Sequence, residues 1–128
     1  MRKFVTVMLA CAALSFGVAA ALAQAAPAKT ADTSKGKALV DAKGMTLYIF
    51  DRDAAGKSNC NGQCAVNWPP LTAAADAKPS GDWSVVTRDD GGKQWAYKGK
   101  PLYAFAKDTK AGDVTGDGVN NVWHIAAP

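Results

Sequence analysis

A chain of 128 residues with a formal net charge of +4 and 48% hydrophobic residues has room for one domain with one modest core. Its lysines are scattered among aspartates rather than clustered, which excludes the concentrated basic surface on which nucleic-acid binding rests. All 11 acidic residues are Asp, and with 12 glycines they point to strands joined by many turns, because Asp favours turns and caps where Glu would suit helices.

The chain begins with the three zones of a secretory signal. Arg2 and Lys3 are followed by the uncharged run Phe4 to Leu22 and by small-x-small cleavage sites at Ala21-Leu22-Ala23 and Ala23-Gln24-Ala25. A signal peptide is therefore expected over residues 1–23. The apolar run has roughly the length of a membrane span, but nothing after it resembles a stop-transfer flank, so no stable membrane anchor is expected. Met8-Leu9-Ala10-Cys11 loosely resembles a lipid-attachment box. Cys11 lies inside the apolar run, where cleavage would leave almost no hydrophobic stretch before it, so lipid anchoring is not expected. The mature chain is predicted to be periplasmic or secreted. Loss of Arg2 and Lys3 lowers its formal charge from +4 to +2.

Residues 24–35, mostly Ala, Thr, Lys and Pro, read as a flexible lead-in. Residues 36–128 read as the folded domain. Within it, Lys43-Gly44-Met45-Thr46-Leu47-Tyr48-Ile49-Phe50-Asp51-Arg52-Asp53 returns 55 positions later as Lys98-Gly99-Lys100-Pro101-Leu102-Tyr103-Ala104-Phe105-Ala106-Lys107-Asp108, and the same offset places Trp68 on Trp123. Agreement of rare aromatics at one offset marks a duplication. The first copy spans about residues 37–71 and the second about 93–126.

Leu39, Val40 and Ala42 form the first strand, which turns at or near Lys43-Gly44 into a second. In that second strand Tyr48 and Phe50 share one face while Leu47 and Ile49 share the other, as suits a strand covered on both sides. At most a short helical turn follows from Cys64 to Trp68, stopped by Pro69-Pro70. Trp83 to Thr87, a turn at Asp89-Asp90-Gly91-Gly92, and Gln94 to Tyr97 predict another hairpin. Lys98-Gly99 repeats the first turn, and Asn121 to Ala126 closes the chain as a strand. The fold class is thus all-β, mainly antiparallel: one small domain in which two pseudo-symmetric hairpin repeats share a core that neither could build alone.

The run Gly44-x-x-Leu-Tyr-x-Phe-Asp-x-Asp53, then Gly56-Lys57-Ser58-x-Cys60-x-Gly62-x-Cys64-Ala65-x-x-Trp68-Pro69-Pro70-Leu71, with the later Gln94-Trp95-x-Tyr97-x-Gly99-x-Pro101-Leu102-Tyr103 and Trp123-His124, resembles the secreted-repeat family of predicted bacterial lipoproteins marked by a Y-x-[FWY]-x-x-D motif. The resemblance implies an envelope or secreted location. Members are largely of unknown function, so it carries over no catalytic residue.

Cys60 and Cys64, spaced C-x-x-x-C in an exported chain, are expected to form a structural disulfide. The redox motifs of thiol oxidoreductases use C-x-x-C, and the histidine of a c-type haem motif is missing after Cys64. Asp113, Thr115, Asp117 and Asn121 alternate around a glycine as in a calcium loop, but His124 stands where the bidentate Glu belongs. A Gly/Asp-rich turn is the competing reading. His124 is the sole histidine, a candidate haem or metal ligand with Met45 as a conceivable partner, or else a plain surface residue. Asp51 and Asp53 would share a face if their strand continued, and paired carboxylates can serve acid–base catalysis, but only Asp53 has a repeat counterpart, so Asp53 and Asp108 are expected to cap the turn after their strands. The repeat residues Leu47, Tyr48, Phe50, Asp53 and Trp68, with Leu102, Tyr103, Phe105, Asp108 and Trp123, read as structural. The expected function is a non-enzymatic binding or interaction module whose partners are envelope proteins, without a cofactor. The alternative is an accessory protein in envelope redox or metal and haem handling.

Overall fold

The computed structural model describes residues 26–128. The expected signal peptide and Cys11 lie outside the described residues. Seven short strands make three small antiparallel sheets. β1 (Lys29–Thr33) pairs with β2 (Gly36–Val40), and β3 (Tyr48–Phe50) pairs with β7 (Trp123–Ile125). β4 (Trp83–Thr87), β5 (Lys93–Tyr97) and β6 (Lys100–Pro101) form a three-stranded sheet. The helical segments are α1 (Gln63–Asn67), at the turn expected between the cysteines and Pro69, and a 3-10 turn at Val119–Asn121.

The second half of the expected lead-in is a strand. Lys29–Thr33 runs antiparallel to β2, with Thr30 opposite Leu39 and Asp32 opposite Lys37. Composition misled because β1 is an edge strand whose side chains are exposed or only half-buried. Its stability comes from backbone pairing, an Asp32–Lys37 ion pair at 2.8 Å and burial of the neighbouring Ala28, and backbone pairing leaves no hydrophobic signature.

The pseudo-twofold runs between Tyr48 and Tyr103. Each of these tyrosines donates its backbone N–H to the other's carbonyl, at 2.7 and 3.0 Å. Around this axis the pairs repeat: Tyr48 faces Ile125 as Tyr103 faces Pro70, and Ala126 N–H donates to Leu47 O as Leu71 N–H donates to Leu102 O. Each equivalence keeps the offset of 55. Upstream the offset slips by one residue, because Leu39 N–H binds Ala126 O where Trp95 N–H binds Leu71 O. The difference sits in the hairpins. Lys98 and Gly99, at φ 52° and 82°, make a two-residue turn with both central residues left-handed. The first copy joins Val40 to Thr46 through one residue more.

The core forms two clusters on opposite faces of the central strands, as the alternation around Tyr48 predicts. One holds Tyr48, Tyr103, Trp68, Trp123, Phe105 and Cys60, with Phe50 packed against it; the other holds Leu39, Leu47, Leu102, Ala28 and Ala126. Both draw on both copies, so the duplicated halves share their core. At the centre of the first cluster four rings stack in one column. Phe50, Trp123, Trp68 and Phe105 follow one another at centroid distances of 4.2, 3.7 and 4.0 Å, and the two Trp planes lie 2° apart. Tyr48 and Tyr103 meet the column edge-on. Gly116 closes its Phe105 end. A Cβ there would lie 2.8 Å from the Trp68 ring and 3.0 Å from Phe105, so only glycine fits this approach.

Candidate functional site

The motif aspartates do more than cap their own turns: they exchange between copies. The Tyr48 hydroxyl donates to Asp108 Oδ2 at 2.6 Å, and the Tyr103 hydroxyl donates to Asp53 Oδ2 at 2.7 Å. The second oxygen of each carboxylate holds the following loop. Asp53 Oδ1 accepts Asn59 N–H at 2.7 Å, while Asp108 Oδ1 accepts the Thr115 amide at 3.1 Å and the Thr115 hydroxyl. Burial is the leading cause that raises both phenols above their ordinary value, with the paired carboxylates adding to it. Burial likewise raises Asp53, against the lowering effect of its hydrogen bonds and of Arg88.

These phenols give an alkaline test. A group whose folded pKa is raised contributes stability that is complete below its unfolded pKa and is lost as pH rises through the folded one. Tyr48 and Tyr103 therefore stay neutral in the folded protein as pH passes the ordinary phenol value, and the fold weakens from there upward. In an ultraviolet titration their ionisation should coincide with loss of near-ultraviolet circular dichroism. Early, reversible ionisation of both without unfolding would contradict the buried clasp.

A second polar network has no counterpart in the first copy. The buried Arg88 guanidinium donates to Ser58 Oγ at 2.9 Å, Gln94 Oε1 at 2.7 Å and Cys60 O at 2.6 Å. Ser58 Oγ lies 2.6 Å from the Tyr103 hydroxyl, so the network joins the clasp. Gln94 in turn donates to Leu102 O at 2.7 Å. Arg88 thus ties the loop that carries the disulfide to the second copy. The Cys60–Cys64 disulfide is formed, with Cα atoms 5.2 Å apart. Cys60→Ser with Cys64→Ser should lower stability by about 2 kcal/mol, the loop-entropy value for so short a ring, and leave the β-type circular dichroism in place. A thiol label that reacts with the unreduced protein would refute the structural role.

Three of the calcium-loop residues, Asp113, Thr115 and Asp117, are engaged with other partners. Asp113 Oδ2 accepts the Thr109 and Lys110 amides at 2.9 and 3.2 Å, and Asp117 Oδ1 accepts Ile125 N–H at 3.0 Å. Thr115 is committed to Asp108. Asn121 adopts a left-handed conformation, φ 61°, at the end of the 3-10 turn. The segment is a turn whose acceptors meet backbone donors. No group of three or more His, Cys or Asp side chains stands close enough to hold a metal among the described residues.

His124 sits on β7 opposite Ile49, and its Nε2 lies 2.8 Å from Asp51 Oδ2 on the surface. Met45 belongs to the β2–β3 turn, where its amide donates to Asp41 Oδ1 at 3.0 Å. Asp51 and Asp53 therefore part company, one meeting His124 and the other Tyr103, because β3 ends at Phe50.

A cleft of about 380 Å³ opens beside the aromatic column, with Phe50, Trp68 and Trp123 in its wall and Arg52, Asn67 and Asn120 around them. β3 supplies Phe50, α1 and its end supply Asn67 and Trp68, and the 3-10 turn supplies Asn120. The side chains of Arg52, Asn67 and Asn120 take no hydrogen-bond partner among the described residues; Arg52 and Asn67 enter the network only through their carbonyls. Sequence reasoning missed Arg52, Asn67, Asn120 and Arg88. None keeps its identity across the duplication, the signal that singled out the repeat residues.

Geometry and sequence together define the class: a two-repeat, disulfide-bearing β module in which the halves exchange their motif side chains. The model of a family described as a secreted repeat of unknown function matches residues 29–72 and again 84–127, and the chain belongs to that family. Both matched segments begin with an edge strand, β1 and β4, and keep the offset of 55. Comparison with curated proteins and with solved structures gave no significant match. No helix among the described residues is long and apolar enough to cross a membrane.

Proposed function

We propose that the mature chain is a non-enzymatic binding module of the periplasm or outer milieu, released from its signal peptide without a lipid anchor, and that the aromatic cleft is its binding surface. The observation that carries this reading is how the polar side chains divide. Tyr48, Tyr103, Asp53, Asp108, Ser58 and Arg88 are engaged with one another inside the fold, which leaves none of them poised as acid, base or nucleophile. Arg52, Asn67 and Asn120 surround a cleft with an aromatic wall, and their side chains take no hydrogen-bond partner among the described residues. A concave, largely apolar site with a few polar groups is the general form of a ligand pocket.

The test uses protein purified from its native compartment and examined by native mass spectrometry, metal analysis and absorption spectroscopy. The expected result is an unlipidated chain starting near Gln24 or Ala26 that carries a non-covalent adduct. The adduct should be absent from the triple variant Arg52→Gln, Asn67→Ala, Asn120→Gly. Stoichiometric metal or a haem spectrum would overturn this reading in favour of an accessory role in envelope redox or metal and haem handling, with His124 and Asp51 as the first residues to examine.

A further inference from the structure

We propose that the cleft along the aromatic column binds an acidic saccharide; this rests on the reading of the chain as a binding module and names its ligand class. Three features select that chemistry. First, Phe50, at the end of the column, is only partly buried and is the accessible ring of the cleft wall, Trp68 and Trp123 being almost wholly buried behind it. A pyranose presents an apolar face of C–H groups that packs on aromatic carbon. Second, two carboxamides and a guanidinium stand around these rings. Asn67 and Asn120 can each donate and accept, as ring hydroxyls and acetamido groups require, and Arg52 suits a sugar carboxylate. A flat apolar ligand would strip water from these groups and return no hydrogen bond, leaving each of them unpaired. Third, Arg52 is the one charged residue in the wall, so the net charge of the lining favours an anion.

A protein partner is the less favoured occupant. Val66 is the one large hydrophobic residue exposed among the described residues, which is meagre apolar surface for an interface that must bury about 800 Å² per partner.

Asn120 adds an argument from the backbone. It stands at φ 53° inside the 3-10 turn, a left-handed conformation that glycine adopts more readily, although Lys98 and Asn121 also hold it among the described residues. The amide side chain is what glycine would lack here. Asn120→Gly therefore keeps the turn and removes only the proposed contact.

The experiment is titration of the mature protein with a glucuronate–N-acetylglucosamine disaccharide, with cellobiose as neutral sugar and benzoate as flat acid, followed by tryptophan fluorescence and amide NMR. The expected result is saturable binding of the acidic disaccharide with shifts at residues 50–52, 67–68 and 120–123. Asn120→Gly or Asn67→Ala should weaken it by about tenfold, and Arg52→Gln should abolish the preference over cellobiose. The proposal is overturned if no shift appears at these positions up to about 10 mM disaccharide, if benzoate binds there and the sugars do not, or if the three variants bind as the parent does. If the sugars fail while the native adduct still disappears in the triple variant, the binding-module reading survives and the saccharide does not. If both fail, both fall.

Discussion

Trp123→Ala is expected to unfold both repeats together. Trp123 lies between Phe50 and Trp68 in the column, is met edge-on by Tyr103, and is 3% exposed. Two of its three ring partners, Phe50 and Trp68, belong to the first copy. Removing a large buried aromatic typically costs about 3–5 kcal/mol, comparable with the whole stability of a small domain. The two copies share this cluster and the one around Leu47 and Leu102, so the loss cannot stay in one half. Residue-resolved hydrogen exchange should show protection falling in β1 and β2 as well as in β4 and β5. If β1 and β2 kept native protection while β4 and β5 lost theirs, the halves would be tethered modules and not one unit. Phe50→Ala, at the partly exposed end of the same column, should cost less.

The second large effect is expected from Arg88→Met. Methionine fills much of the same space but leaves Ser58 Oγ, Gln94 Oε1 and Cys60 O without their buried donor. Each buried acceptor left without a donor costs about 1–3 kcal/mol. Lysine should not restore it, since one ammonium cannot reproduce the planar fork that reaches all three acceptors. The variant also has a pH signature. Arg88 lowers the Asp53 pKa, which burial holds above the ordinary carboxylate value, so its removal pushes Asp53 higher still. A raised carboxyl contributes stability that is complete below its unfolded pKa and is lost as pH rises through the folded one. The deficit of Arg88→Met relative to the parent should therefore be larger at neutral pH than near the ordinary carboxylate range, where Asp53 is protonated in both. Denaturant melts at the two pH values decide this, and a deficit independent of pH would disconnect Arg88 from Asp53.

Much of the fold was legible from the duplication. Matching Tyr48-x-Phe50 to Tyr103-x-Phe105 and Trp68 to Trp123 identified the central strands, their two covered faces and the need for a common core. The Lys-Gly turns and the Cys60–Cys64 pair followed from local chemistry alone: a left-handed turn residue and a short cysteine spacing act within a few residues. β1 was not legible, because an edge strand held by backbone pairing and a surface ion pair has no apolar period to read.

The partnership of the motif side chains was hidden for a different reason. In a duplicated motif, a carboxylate that bonds within its own copy and one that bonds across to the other copy are written identically. Only the packing of Tyr48 beside Asp108, and of Tyr103 beside Asp53, decides between them. The same holds for the four-ring column, whose members were each visible but whose order depends on the pseudo-twofold. Arg88, Ser58 and Gln94 meet only because the second hairpin folds over the disulfide loop, and the cleft beside Phe50 is open because Arg52, Asn67 and Asn120 arrive from three separate elements. The chain by itself determined which residues would be strand, turn, cross-link and core, since those depend on near neighbours and period. The tertiary structure alone decided which distant side chains would meet and which would be left facing water, since that depends on how two nearly identical halves close against each other.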